Sequence, residues 1–219
     1  MAIGVMIISV CPGGPTSNLI TQVSRGNIGL SVTLTALASI ITVFSIPILL
    51  SKAIAYFTGN SGVIIQLPIL ETMVQILVIT IIPISIGMII RKRNEGFALR
   101  MEKPMRTAST VLFVIIFLVI IIANKDNLVQ AMVEVGLATL LLNLLTMGLG
   151  FLTAKLFGIA GNSQITITIE SGIQNGTLAF VIATSILNNL EMGLPAGAYS
   201  IWMFITGGIL MWRLGSKKE

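Results

Sequence analysis

The hydrophobic positions of the chain form long apolar runs that are separated by short polar stretches. Runs of about 20 apolar residues are long enough to cross a bilayer as α-helices. The predicted spans are 1–23, 28–50, 67–90, 107–123, 128–157, 165–190 and 197–212, and the first and sixth are interrupted by polar residues. The pattern therefore predicts an all-α membrane protein, a polytopic helical bundle with two discontinuous helices.

The first interruption follows the apolar segment Met1–Val10. The residues after it read CPGGPTSN, from Cys11 to Asn18. A continuous helix does not tolerate two prolines around a glycine pair, because proline lacks a backbone N–H and glycine loses much conformational entropy in a helix. We expect two half-helices that meet at an unwound polar segment.

The second interruption lies inside the run Ile165–Leu190, where Glu170 stands near the middle of an otherwise apolar span. Its polar and glycine neighbours are Gly172, Gln174, Asn175 and Gly176. A carboxylate at membrane depth costs at least about 2.5 kcal/mol, so it should face protein, water or an ion. We favour ion binding over a purely packing role.

Hydroxyl and amide side chains occur in the same parts of the chain as these interruptions. Ser31 and Thr35 are four residues apart and therefore lie on one face of their helix. For these residues, and for Ser17 and Asn18, ordinary hydrogen bonding between helices is an open alternative to ion binding. Asn143, near the middle of the fifth predicted span, either packs against a neighbour or lines a cavity.

Composition narrows the function classes. The chain is 55% hydrophobic and 10% charged, with mean hydropathy +1.00, one cysteine and no histidine. It therefore lacks the commonest general base and the commonest transition-metal ligand, so we expect no enzyme, no catalytic residue and no transition-metal site. The formal net charge of +5 lies in short loops, which argues against nucleic-acid binding and for a membrane protein whose charges report orientation.

Basic residues are unevenly divided between the two sides of the predicted topology. Eleven lie on the side of the basic loop Arg91–Arg106 and only Lys52 and Lys125 lie opposite. Because basic loops stay in the cytoplasm, we expect a cytoplasmic C-terminus and an external Met1 in the plasma (inner) membrane.

The two interrupted spans run in opposite directions in this topology, and each is followed by one more span. This is an inverted-topology repeat, as in many secondary transporters. Three spans (67–90, 107–123 and 128–157) precede the second interrupted helix and none precedes the first. We therefore expect the chain to be N-terminally truncated by three helices relative to a ten-helix fold.

Three motifs in order resemble one known family. They are CPGGPTSN at 11–18, the Ser31 to Thr35 pair, and ExGxQN at Glu170–Asn175. Together they are similar to the fourth to tenth helices of the bile acid:sodium symporter family, in particular its bacterial members. The resemblance implies a core domain and a panel domain, with crossing broken helices and two sodium ions beside the crossing.

The resemblance also implies a division of the chain. Core parts of the two repeats occupy 1–50 and 124–213, the latter including the broken helix 164–190. An extracellular connector covers 51–66, a panel-type helix pair 67–123, and a cytoplasmic tail 214–219.

Residue by residue, the resemblance implies two sodium sites. The first would use Ser17, Asn18, Ser31, Thr35 and Glu170. The second would use Glu170, Gln174 and the backbone carbonyls of Ser171 and Ile173, with a further ligand from a helix this chain lacks. The implied substrate and crossing region consists of Gly13, Gly14, Pro15, Thr16, Asn175 and Gly176.

The predicted function is sodium-coupled symport of an organic anion by alternating access, with sodium as the coupling ion and no other cofactor. A bile acid, a steroid conjugate and a small carboxylate all remain compatible substrates. The alternatives are a non-transporting membrane scaffold and an uncoupled channel. The expected partners are sodium, the anion and the lipid bilayer, and the sequence does not specify an oligomeric state.

Overall fold

The computed structural model describes residues 1–59, 69–101, 103–105, 107–108, 111 and 125–215. Residues 95–101 are helical. Eight further α-helices in the described residues are labelled α1 to α8 in chain order. They are α1 Ala2–Val10, α2 Pro15–Val23, α3 Ile28–Thr58, α4 Ile69–Arg93, α5 Lys125–Leu156, α6 Asn162–Gly172, α7 Gly176–Val181 and α8 Leu194–Gly215.

Four helices in this part of the chain are long and apolar enough to cross a membrane, namely Ile28–Thr58, Leu70–Arg93, Met132–Leu156 and Glu191–Gly215. They confirm an all-α integral membrane protein. The predicted span 107–123 and the tail residues 216–219 fall largely outside the described residues.

Both predicted interruptions are present. The first separates α1 from α2, with Cys11 and Gly14 in extended conformations. The second separates α6 from α7, with Ile173 extended, and α7 continues into a wider π-helical turn, Ile182–Ile186.

Helix α3 is longer than the sequence pattern predicts. Residues 51–58, which we expected to belong to the connector 51–66, continue the helix to Thr58. Ala53 and Ile54 are buried there, so the packed face of the helix extends past Lys52. Residues 60–66 of the predicted connector lie outside the described residues.

Contacts between the ends of the helices fix their relative directions. The Asn27 amide donates to Thr166 Oγ1 at 2.7 Å, which joins the α2–α3 turn to the beginning of α6. A side chain at Gly215, where α8 ends, would lie 3.0 Å from the Val23 carbonyl oxygen. At the opposite end, Gly4 packs directly on Pro195. The two broken helices therefore run in opposite directions.

The main buried cluster surrounds the two interruptions. It includes Ile7, Ile8, Ile20, Ile169, Ile173 and Ile182, each at most 1% exposed. The outer faces of α3 and α5 expose large apolar side chains instead, such as Ile41 and Leu145, each 62% exposed. A bilayer accommodates such faces, because lipid tails are as apolar as these side chains.

Candidate ion and substrate site at the helix crossing

The two unwound segments cross and pair with each other. Gly13 and Gln174 form an isolated antiparallel bridge. The Asn175 amide donates to the Pro12 carbonyl oxygen at 2.8 Å, and the Gly14 amide donates to the Ile173 carbonyl oxygen at 3.4 Å. These four backbone groups are thus satisfied by the other broken helix, as irregular backbone at membrane depth requires.

The close approach depends on Gly13. A Cβ atom at this position would lie 2.7 Å from Glu170 Oε2. Real Cβ atoms are almost never that close to another heavy atom, so either the carboxylate or the crossing backbone would have to move. The absence of a side chain at Gly13 lets Glu170 lie directly beneath the crossing.

Hydroxyls from two other helices surround the Glu170 carboxylate. Ser17 of α2 donates to Oε1 at 2.6 Å, Ser31 of α3 donates to the same oxygen, and Thr35 donates to Oε2 at 2.8 Å. Ser17 and Ser31 are fully buried and Glu170 is 9% exposed. The structure therefore brings together four of the five side chains expected at the first sodium site.

Two buried amide oxygens in the broken helices have no hydrogen-bond partner among the described residues. They are Oδ1 of Asn18, which follows Ser17 in α2, and Oε1 of Gln174, which lies at the crossing. A buried carbonyl oxygen without a donor loses its hydration without compensation, which costs roughly 1–3 kcal/mol. Both residues were expected to bind sodium, and an unpaired oxygen is what a cation ligand requires.

The other groups expected at the second sodium site already have partners. The Ser171 carbonyl accepts from Gln174 Nε2 at 3.3 Å, and the Ile173 carbonyl accepts from Gly14. The Ser171 hydroxyl donates to the Ile167 carbonyl within its own helix at 2.8 Å. The role of these groups in binding a second ion stays a prediction.

The predicted substrate and crossing residues separate into two sets. Gly13, Gly14 and Gly176 are buried, and a side chain at Gly176 would lie 2.6 Å from Ser200 Oγ, so these glycines permit close backbone packing. Pro15 is exposed and Thr16 and Asn175 are partly exposed. Only the second set has surface that a substrate could contact.

Asn175 also has a structural role that the sequence analysis did not anticipate. Its side-chain oxygen accepts from the Leu178 amide at 3.0 Å and so caps the N-terminus of α7. Asparagine is among the preferred residues at this position. The Asn-Gly pair before an apolar run was the signal that could have revealed it.

Further buried polar residues, not expected from the sequence, lie next to the expected ligands. Thr21 is fully buried, and its Oγ1 lies within hydrogen-bonding distance of Ser31 Oγ, at 3.3 Å. Ser17 and Thr21 of α2 and Ser24 directly after it follow helical spacing on one face, which the pattern alone could have shown. Asn143, whose role was left open, is fully buried and hydrogen-bonded to the end of α6.

A family model described as the sodium bile acid symporter family matches residues 1–131, more than half of the chain. The chain belongs to this family. The family description names a symporter rather than an enzyme, in agreement with the expectation from composition.

Curated relatives are similar over the whole chain or most of it. The uncharacterized sodium-dependent transporter YocS of Bacillus subtilis is 28% identical over all of this chain and 66% of its own length. The probable chloroplastic sodium/metabolite cotransporter BASS1 of Arabidopsis thaliana is 28% identical over all of this chain and 53% of its own. The human ileal sodium/bile acid cotransporter is 26% identical over 83% of this chain and 51% of its own. The chain thus spans about half to two thirds of the length of these relatives.

Proposed function

We propose that this chain forms the ion-binding core of a sodium-coupled symporter for an organic anion. The observation that carries the proposal is the Glu170 carboxylate, which receives hydroxyls from α2 and α3 at the crossing of two broken helices. Broken helices that meet near mid-membrane are where secondary transporters bind coupling ions and substrate. The sodium-dependent relatives support sodium as the ion and an organic anion as the substrate.

The charge of the site favours a monovalent cation. Glu170 is the only buried side chain with a formal charge among the residues whose burial the structure describes. One monovalent ion at the first expected sodium site neutralises the carboxylate, whereas a divalent ion at that position would leave a net positive charge in a medium of low dielectric constant. The same carboxylate does not balance the charge of a second sodium ion, so charge supports the first site only. The oxygen atoms that surround the carboxylate are hard ligands, which suit a hard cation.

The hydroxyl groups explain how such a site could accept and release its ion. A serine or threonine hydroxyl is both a donor and an acceptor. Ser17, Ser31 and Thr35 can donate to the carboxylate, as they do here, or turn their lone pairs toward a cation. The carboxylate keeps polar partners in both states, which limits the cost of ion release during alternating access.

Charge and the contacts between helix ends together support a proposed orientation. Arg25, Lys155 and Arg213 lie near the end of the bundle where the α2–α3 turn, the beginning of α6 and the end of α8 meet. This clustering supports the proposed division of basic residues into a cytoplasmic and an external side. We propose a cytoplasmic C-terminus in the plasma membrane.

Replacing Glu170 tests the ion site. Glu170→Gln keeps the shape of the side chain and removes its charge, so we expect loss of sodium-dependent thermal stabilisation and of sodium-driven uptake. The binding measurement compares sodium chloride with choline chloride at equal ionic strength and needs no substrate. Uptake into proteoliposomes is measured with taurocholate, pantoate and pyruvate in parallel.

Glu134→Gln is the matched control, because Glu134 is an exposed carboxylate on α5. It should leave the sodium dependence unchanged. Wild-type sodium dependence in Glu170→Gln would refute the proposed ligand. Sodium-independent flux in the parent protein would favour a channel, and no flux of any probe together with no sodium binding would favour a scaffold.

Thiol labelling of sealed cells tests orientation separately. In a Cys11→Ala background, a cysteine at Glu191 should react with a membrane-impermeant reagent and a cysteine at Glu95 should not. Both positions are exposed in the structure, so accessibility within the protein does not distinguish them. Labelling at Glu95 alone would reverse the proposed orientation.

A further inference from the structure

The carbonyl oxygen of Gly172, where α6 ends, has two partners from other helices. Asn143 Nδ2 of α5 donates to it at 2.8 Å, and the Tyr199 hydroxyl of α8 donates to it at 2.9 Å. In a continuous helix this oxygen would instead accept from the amide of Gly176, four residues later. Two side chains therefore take the place of the helical hydrogen bond at the second interruption.

The surroundings hold the Asn143 amide in one orientation. Its Nδ2 also lies 3.4 Å from the Tyr199 oxygen, and its Oδ1 accepts from the Thr206 hydroxyl at 2.9 Å. The reverse orientation would place Oδ1 against the Gly172 carbonyl, two acceptors facing each other. Asn143 and Tyr199 are both fully buried, so water does not compete for these bonds.

The packing around this carbonyl allows α5 to approach closely. Gly172 has no side chain, and a Cβ atom there would overlap the Met147 side chain. Met147 lies one turn after Asn143 on the same face of α5. The end of α6 is thus fixed by hydrogen bonds and by direct contact with the same helix face.

The fixed carbonyl lies between groups that matter for the proposed ion site. Gly172 stands two residues after Glu170 and two before Gln174, whose Oε1 is buried without a hydrogen-bond partner in the part of the chain that the structure describes. A shift in where α6 ends would displace the Gln174 oxygen and the Ser171 and Ile173 carbonyls relative to the Glu170 carboxylate. These atoms must hold their spacing if they are to bind one ion.

We propose that Asn143 and Tyr199 are positioning residues for the ion site: by holding the Gly172 carbonyl they set where α6 ends, and hence the geometry of Glu170 and Gln174. This inference rests on the proposed function. Neither side chain is proposed to bind the ion itself, because the amide of Asn143 is fully hydrogen-bonded and the Tyr199 hydroxyl donates to the Gly172 carbonyl. They act through the backbone, as outer-shell residues do at metal sites.

The test is a sodium titration of thermal unfolding with the full chain in detergent, repeated for uptake in proteoliposomes. Asn143→Leu keeps the approximate size of the side chain and removes its donors. We expect the sodium concentration for half-maximal stabilisation to rise about tenfold or more, the range typical of lost outer-shell contacts. Tyr199→Phe removes only a hydroxyl and should raise it less, and the double variant should show less than the product of both effects because the two act on one carbonyl.

Thr139→Val is the matched control on α5. Thr139 is fully buried one turn before Asn143, and among the described residues its hydroxyl bonds to backbone carbonyls of its own helix, those of Val135 and Gly136. It should change stability without changing the half-maximal sodium concentration. A purely structural role of Asn143 and Tyr199 would give that same result in their variants.

A change of less than about twofold in Tyr199→Phe and in a folded Asn143→Leu would overturn the proposal, because it falls far below the roughly tenfold effect of a lost outer-shell contact. If Asn143→Leu does not fold, Tyr199→Phe decides alone. Glu170→Gln separates this inference from the proposed function. Loss of sodium binding in Glu170→Gln with normal binding in both positioning variants would refute the inference and leave the proposed function standing.

Discussion

The interruption between α1 and α2 and the interruption between α6 and α7 lie against each other, yet only the first contains proline. Cys11 and Gly14 each precede a proline, which disfavours helical dihedral angles, and both are extended with ψ of 151° and 167°. Local sequence therefore accounts for the first interruption.

The second interruption depends on contacts with the rest of the protein. The Gly172 carbonyl accepts hydrogen bonds from Asn143 and Tyr199, and the Asn175 amide donates to the Pro12 carbonyl. In a continuous helix Gly172 would pair with Gly176, and Asn175 would pair with Ser171. From this difference we expect that one broken helix is preformed by its own residues, whereas the other becomes broken on assembly.

The largest expected effect is a change of conformation in isolated segments. In detergent micelles, a peptide of residues 2–23 should remain non-helical at Cys11–Gly14, because proline inside a helix costs about 3 kcal/mol. A peptide of residues 162–186 should become helical through 173–175. Its glycines cost about 1 kcal/mol each in a helix, whereas unpaired backbone groups in an apolar medium cost several.

Backbone chemical shifts measure both peptides directly. The sharpest form of the test adds Pro12→Ala and Pro15→Ala to the first peptide, which should then become more helical across the interruption. If the second peptide stayed extended at Ile173 without any partner helix, its interruption would be local as well and the contrast would disappear.

This contrast explains which parts of the fold the sequence predicted. The apolar runs, the break at Pro12 to Pro15 and the midspan Glu170 can each be recognised from local sequence. The apolar runs have the length of a membrane span, whereas the prolines and the carboxylate depart from the pattern of an uninterrupted span. The extension of α3 to Thr58 was missed because Lys52 is a charged residue in the middle of a helix whose buried face continues beyond it. Local polarity pointed to a loop where packing maintains a helix.

The site was predictable to the extent that its residues belong to recognisable motifs. Ser17, Ser31, Thr35 and Glu170 were expected together, and they meet in the structure. Asn143 and Tyr199 carry no motif, since a single polar residue in an apolar helix has many possible partners. Both donate to a backbone carbonyl, and because every residue has one, the sequence does not identify which carbonyl they contact.

A smaller effect is expected from adding a methyl group at the two sides of the crossing. Gly13→Ala would press on Glu170, which three hydroxyls hold in place, whereas Gly176→Ala would press on a single serine hydroxyl. We expect Gly13→Ala to cost roughly 1–3 kcal/mol in unfolding free energy and to weaken sodium binding, and Gly176→Ala to cost less.

Thermal unfolding with and without sodium measures both effects. Gly148→Ala is the control, because a Cβ atom there meets nothing within 4 Å and alanine is the better helix former. It should be neutral or slightly stabilising. Equal sodium affinity in Gly13→Ala and Gly148→Ala would show that the first interruption does not constrain Glu170.

The smallest expected effect concerns how the half-helices after the interruptions begin. Helix α2 begins with Pro15 and has no side-chain cap, whereas α7 is capped by Asn175. Asn175→Ala should cost about 1 kcal/mol of stability, and Asn175→Ser should restore most of it, because serine also caps well. Thr177→Ala, at an exposed neighbouring position, should change little.

The same pair of variants separates the capping role of Asn175 from its predicted contact with substrate. If the residue only caps α7, Asn175→Ser should recover both the unfolding temperature and the substrate concentration for half-maximal uptake. If Asn175 also contacts the anion, serine should recover stability while half-maximal uptake stays shifted, because its shorter side chain cannot reach the same acceptor. If Asn175→Ser recovers neither the unfolding temperature nor the half-maximal substrate concentration, the capping geometry is contradicted. The Leu178 amide would then depend on something other than a side-chain oxygen at this position.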